Sequence, residues 1–125
     1  MFHPRERLER FQKGTERLYQ EMPETTKAFF NFTGVAQKEG SLTVREKELI
    51  SIGIAMYNRC EDCIVYHAYN ALQAGCNREE ILEAAGVAMV FGGGPSFGVT
   101  ASLLLASLDE FEKDFKNKAI GEKKA

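Results

Sequence analysis

Residues 48–67 read ELISIGIAMYNRCEDCIVYH. After Glu48 the stretch 49–57 is apolar on every side and lacks sustained alternation. That pattern predicts a helix buried all round rather than a half-buried strand. Upstream, Thr43-Val-Arg-Glu46 has the form of a capping box. The Thr hydroxyl can accept from the amide three residues on while the Glu side chain reaches back. A helix from there to about Asn58 is expected, and a second one begins near Cys60 and ends at Gly75, a candidate C′ residue. No other segment shows strand alternation either, so the fold class is all-α, a bundle of five to six helices.

The remaining elements follow from the same signals. Pro4 to about Tyr19 carries a modest apolar stripe through Leu8, Phe11, Leu18 and Tyr19. Pro23 suits the first turn of a second helix, which runs to about Gln37 through Phe29, Phe30, Phe32 and Val35. Asn77-Arg-Glu-Glu80 caps a further helix to about Val90, again apolar nearly all round. Phe91-Gly92-Gly93-Gly94-Pro95 is expected to break it, as a close-packed turn between helices. A last helix from about Ser96 to Lys116 places Leu104, Leu108, Phe111 and Phe115 on one face. The tail from Asn117 to Ala125 is expected to fray.

Composition limits the function classes. The chain has 125 residues, which suits one domain over 1–125 with its core at about 25–115. Sixteen basic and 18 acidic residues give a net charge of −2, with none of the basic excess of a nucleic-acid binder. No contiguous apolar run approaches the roughly 18 residues of a membrane span, so no membrane partner is expected. The N-terminus is charged and lacks the apolar stretch of a signal peptide, which makes a cytoplasmic location the default. Two central helices apolar on all sides are more than one such subunit can cover, so a homo-oligomer is the natural inference. No cofactor is implied.

The chemistry concentrates at Cys60, Cys63, His67 and Glu48. On one helix Cys60, Cys63 and His67 fall within about 60° of arc, a shared face. Thiols in a helix's first turn meet free amides and the positive dipole end, which stabilise a thiolate. His67, one turn below Cys63, can act on that thiol as a general base, directly or through a water. A Cys-x-x-Cys pair here can cycle between dithiol and disulfide. Glu48 would be the orienting third group if it met His67, which requires the two helices to pack antiparallel across Asn58-Arg59. Two blander readings stand beside this one. Structural zinc wants four ligands, and no second Cys or His pair is available; Glu48 sits beside Arg45, Glu46 and Lys47 and reads equally as a solvated charge. Cys76 reads as a small, partly buried residue, and Tyr57, Tyr66 and Phe91 read as core that could also line a pocket near the thiols.

At these residues the chain resembles the carboxymuconolactone decarboxylase superfamily, specifically its alkyl hydroperoxidase D-like branch. The match is Glu48, eleven residues, Cys60-Glu-Asp-Cys63, three residues, then His67, and it extends through AYNALQAGCNREEILEAAGVAMVFGG. The resemblance implies a helical bundle assembled as a trimer or hexamer, with thiol-dependent reduction of peroxides or disulfides. It gives Cys63 the attacking thiol, activated by His67 through a water-linked relay with Glu48. Cys60 would then resolve the sulfenic acid to a disulfide, and an external dithiol reductant would restore the pair. The best-known members carry a His between the cysteines, where this chain has Glu61-Asp62. Asp62 is the candidate substitute proton acceptor. The two carboxylates would also raise the thiol pKa, which weighs on peroxide turnover and leaves disulfide reduction open. The superfamily also includes true lactone decarboxylases, which need basic groups for a dicarboxylate; Arg59 is the only basic residue near the site in sequence. A non-catalytic metal-binding or assembly protein is the third reading.

Overall fold

A computed structural model describes residues 1–116; the tail expected to fray lies outside the described residues. Helices α1 (Pro4–Glu21) and α2 (Pro23–Gln37) form a hairpin pivoting on Met22. They are followed by α3 (Val44–Asn58), α4 (Glu61–Gln73) and α5 (Arg78–Val99). A π-turn segment (Thr100–Leu104) leads into α6 (Leu105–Phe111), and a short 3-10 turn (Glu112–Asp114) follows. The described residues contain no strand, and the fold is all-α as expected.

Both capping boxes form. The Thr43 hydroxyl accepts from the Glu46 amide at 3.1 Å, and the Glu46 carboxylate accepts from the Thr43 amide at 2.8 Å. Asn77 and Glu80 reciprocate in the same way, both at 2.9 Å. The two helix starts are tied to each other as well, because Arg45 holds the Glu80 carboxylate. Gly75 lies at φ 95, the left-handed value that lets α4 end there without a Cβ penalty.

The core sits where α3, α4, α5 and α6 meet. Ile52 and Met56, Ile64 and Ala68, Ile81, and Leu104, Leu108 and Phe111 are all fully enclosed. Each large apolar side chain so buried contributes on the order of 1.5–3 kcal/mol. α3 lies along both α4 and α5, and α1 bridges to α4 and α6. Arg5 fixes that bridge, pairing with Glu110 at 3.2 Å and Asp114 at 2.9 Å.

Three expectations change. The glycine-rich break is narrower than expected, because only Gly93 leaves helical geometry (φ 60, ψ −141) and the helix resumes at once through Pro95. A positive φ combined with so negative a ψ is open essentially only to glycine, and Gly93 alone takes it. The following helix then widens into its π turn, where the Thr100 and Ser102 hydroxyls each donate to a carbonyl four residues back, as Ser107 does in α6. Second, α3 is not buried all round within the subunit: Ile50, Ile54 and Tyr57 are exposed, as are Val87, Val90 and Phe91 on α5. Third, one helical run does reach the length and composition of a membrane span. Between Arg78 and Asp114 an 18-residue window has a mean hydropathy of 1.4, with 22% of it buried in the subunit. Its Gly, Ser and Thr residues interrupt the apolar sequence without adding charge, so the run holds no long contiguous apolar stretch.

Candidate active site

The site is built by one turn of backbone. α3 ends at Asn58, and Arg59 takes the left-handed conformation (φ 56), with its amide donating to the Met56 carbonyl. That reverses the chain, so that α4 runs back along α3. Cys60 is extended and becomes the N-cap of α4 rather than a residue within its first turn. Its sulfur accepts from the Cys63 amide at 3.2 Å. Cys60 and Cys63 are joined as a disulfide, with Cα atoms 5.2 Å apart. Glu61 and Asp62, the first two residues of α4, sit where the helix dipole favours negative charge.

The antiparallel packing brings Glu48 to His67. Glu48 Oε2 lies 2.8 Å from His67 Nδ1, across 19 residues of sequence. The Glu48 side chain is only 9% exposed, so it is not the solvated charge its neighbours suggested. An ionised carboxylate can only accept, so the Nδ1 proton points at Glu48 and Nε2 is left as the basic nitrogen. One carboxylate therefore fixes both the ring's orientation and its tautomer.

Cys63, His67 and Glu48 line one cavity of about 380 Å³. Phe11 of α1, Phe29 and Phe30 of α2, and Tyr66 of α4 form its aromatic wall. Phe11 and Tyr66 pack with ring centres 5.4 Å apart, and Tyr66 meets the His67 ring edge-on at 5.1 Å. Thr33, Gln37 and Asn70 supply uncharged polar groups. Tyr66 thus belongs to the site. Tyr57 and Phe91 line a different apolar hollow between α3 and α5.

Two features escape the sequence reading. The aromatic wall comes largely from the α1–α2 hairpin, whose Phe residues read only as a helix stripe. The second is Arg7 of α1. Its guanidinium pairs with Glu61 at 2.8 Å and with Asp62 at 2.7 Å. Arg59 is therefore not the only basic residue near the site, and Asp62 is held by Arg7. Cys76 lies elsewhere, buried at 3% exposure with its thiol toward the Arg45 carbonyl. Burial pushes that thiol's pKa up, which keeps it protonated. Among the described residues no three His, Cys, Asp or Glu side chains converge as a metal would require.

Known proteins resemble this chain over most of its length. A Cupriavidus necator protein of uncharacterised function is 35% identical over 92 residues, which is 74% of this chain and 80% of that protein. The crystal structure of a carboxymuconolactone decarboxylase family protein from Legionella pneumophila superposes with a TM-score of 0.82 at 32% identity, covering 86% of this chain and 96% of the other. A Thermotoga maritima protein of the same family, suggested to be involved in an antioxidative response, superposes with a TM-score of 0.79 at 31% identity, covering 90% and 95%. Residues 23–106 match the family's own sequence profile. The chain belongs to the carboxymuconolactone decarboxylase family, and the antioxidative response suggested for the Thermotoga maritima member is consistent with that family's alkyl hydroperoxidase D-like branch.

Proposed function

We propose that the chain is a thiol-dependent oxidoreductase that reduces peroxides or disulfides through Cys60 and Cys63. The observation that carries this reading is the single cavity shared by Cys63, His67 and Glu48. In the reduced protein His67 Nε2 takes the Cys63 proton, directly or through a water, while Glu48 steadies the imidazolium. The thiolate attacks a peroxide oxygen; the O–O bond breaks, and the leaving oxygen takes a proton to depart as an alcohol or water. Cys63 is then a sulfenic acid. The Cys60 thiol attacks that sulfur, water leaves, and the disulfide forms. With a disulfide substrate, Cys63 attacks one sulfur and the other leaves as a thiol; Cys60 then attacks the Cys63 sulfur of the mixed disulfide, and the second substrate thiol leaves. An external dithiol reductant returns both thiols. The antioxidative role suggested for the Thermotoga maritima relative supports the same chemistry.

Thiol titration tests this. After reduction, stoichiometric peroxide or a small disulfide should remove two of the three thiols per chain, with Cys76 as the survivor. Cys60→Ser should leave Cys63 at the sulfenic acid or mixed disulfide, trappable as such. A pair that neither reagent oxidises would sink the reading. The lactone decarboxylase alternative needs cations for a dicarboxylate, yet among the described residues the cavity lining includes no Lys or Arg.

The assembly is proposed with it, as a trimer or hexamer. Ile50, Ile54, Tyr57, Val87 and Phe91 expose an apolar face around the hollow between α3 and α5. Faces of this kind are normally covered. Ile54→Glu should shift the light-scattering mass in size-exclusion chromatography down to that of one chain. An unchanged mass would place the contact elsewhere.

A further inference from the structure

We propose that Arg7 is a positioning residue for the dithiol: from α1 it pairs with both Glu61 and Asp62, offsets half of their combined charge, and keeps the Cys63 thiolate favoured. This rests on the thiol-oxidoreductase reading. The sequence between the cysteines poses the problem, because two carboxylates beside a nucleophilic thiol oppose its ionisation. The structure supplies the counterweight from 55 residues away. Nε of Arg7 donates to Asp62 at 2.7 Å, and its Nη1 reaches Glu61 at 2.8 Å. One planar guanidinium thus engages both carboxylates with separate nitrogens, which a point-charge ammonium does less well.

The other charged and titratable groups around Cys63 do not perform this task. From α3 the cavity receives Glu48, committed to His67. From α4 it receives Asp62, Tyr66 and His67, while Cys60 at the N-cap and Glu61 adjoin Cys63 along the chain. From α1, Arg10 lines an adjoining groove with Arg7 and Asp62. α2 contributes only uncharged side chains to the cavity. Among the described residues Arg7 is therefore the cation that meets both intervening carboxylates.

Losing Arg7 should leave α1 in place. The Arg7 side chain is 34% exposed and its partners more so, and such pairs add little to stability. α1 keeps buried Leu8, the Phe11–Tyr66 contact and the Arg5 pairs.

The test is the pH dependence of iodoacetamide alkylation of Cys63 in the fully reduced full chain, read by peptide mass spectrometry. Arg7→Met should move the midpoint up by about one unit, roughly a tenfold slowing at neutral pH. Arg7→Lys should recover part of that loss. Arg7→Met combined with Glu61→Gln and Asp62→Asn should return the rate to within about threefold of wild type. Glu61→Gln with Asp62→Asn alone, Arg7 intact, should move the midpoint below wild type. A profile unmoved by Arg7→Met overturns the proposal, as does a slowing that the triple variant fails to reverse. If Arg7→Met disturbs α1 by circular dichroism, the Arg7-intact double variant decides: a midpoint not below wild type overturns the proposal. Alkylation needs no peroxide or disulfide, so a failure of the proposed activity leaves this result readable.

Discussion

Glu48→Gln is expected to slow single-turnover oxidation of the Cys60–Cys63 pair by between about 10² and 10⁴-fold. The substitution is nearly isosteric, so the enclosed site should stay filled and the chain folded. What it removes is the charge 2.8 Å from His67 Nδ1. The amide has two ways to sit. With its oxygen toward Nδ1 it keeps the tautomer but no longer steadies an imidazolium. With its nitrogen toward Nδ1 it donates there and moves the ring proton to Nε2, the nitrogen that must accept the thiol's proton. Either pose weakens the base, and the second removes it. Stopped-flow measurement of the reduced protein against excess peroxide reads the rate directly, and circular dichroism checks the fold. A rate within threefold of wild type would strip Glu48 of its proposed role and make the pair with His67 a packing contact.

The parts of this site differ in how legible they were, and the difference follows sequence distance. The caps at Thr43 and Asn77 are satisfied within three residues, and both boxes form as read. The shared face of Cys63 and His67 is helix phase alone. Glu48 with His67 was legible only on condition of a tight reversal, and Arg59 supplies it at φ 56, a value its identity does not announce. Arg7 and Phe11 obey no such local rule. They reach the site because the α1–α2 hairpin folds over the start of α4, and nothing between residues 7 and 62 encodes that docking at helical or strand period. The same gap explains the outer face of α3. An apolar pattern says that Ile50 and Ile54 should be covered, and is silent on what covers them. At the break, composition marks Gly92–Pro95, but packing selects the residue. Ser96 is fully buried with its hydroxyl donating to the Met56 carbonyl at 3.4 Å, a side chain on Gly92 would collide with it, and Gly93 takes the non-helical conformation beside them.

Phe111→Ala is expected to lower the unfolding free energy by about 3–5 kcal/mol, the largest stability loss of any substitution considered. Phe111 is fully enclosed at the end of α6 and is the bulkiest side chain so buried. Its ring meets Tyr69 of α4 edge-on at 5.3 Å, and the Arg5 guanidinium lies 5.4 Å over it. Truncation therefore costs the transfer of the ring, the cavity left behind and part of an aromatic pair and a cation–π contact. Urea denaturation at one fixed protein concentration measures this, since assembly makes apparent stability concentration-dependent. Phe111→Leu, which refills most of the space, should lose much less. A loss below about 1.5 kcal/mol for Ala would mean that α6 closes over the gap. The position also bears on chemistry, because Arg5 and Phe111 together fasten the start of α1, two residues before Arg7. Loosening that end should release Arg7 from Glu61 and Asp62 before the core gives way. In Phe111→Ala under native conditions, Cys63 alkylation at neutral pH should slow toward the Arg7→Met value while far-UV ellipticity holds. The aromatic ring under Arg5 thereby connects the stability of the C-terminal helix to the charge balance at the dithiol.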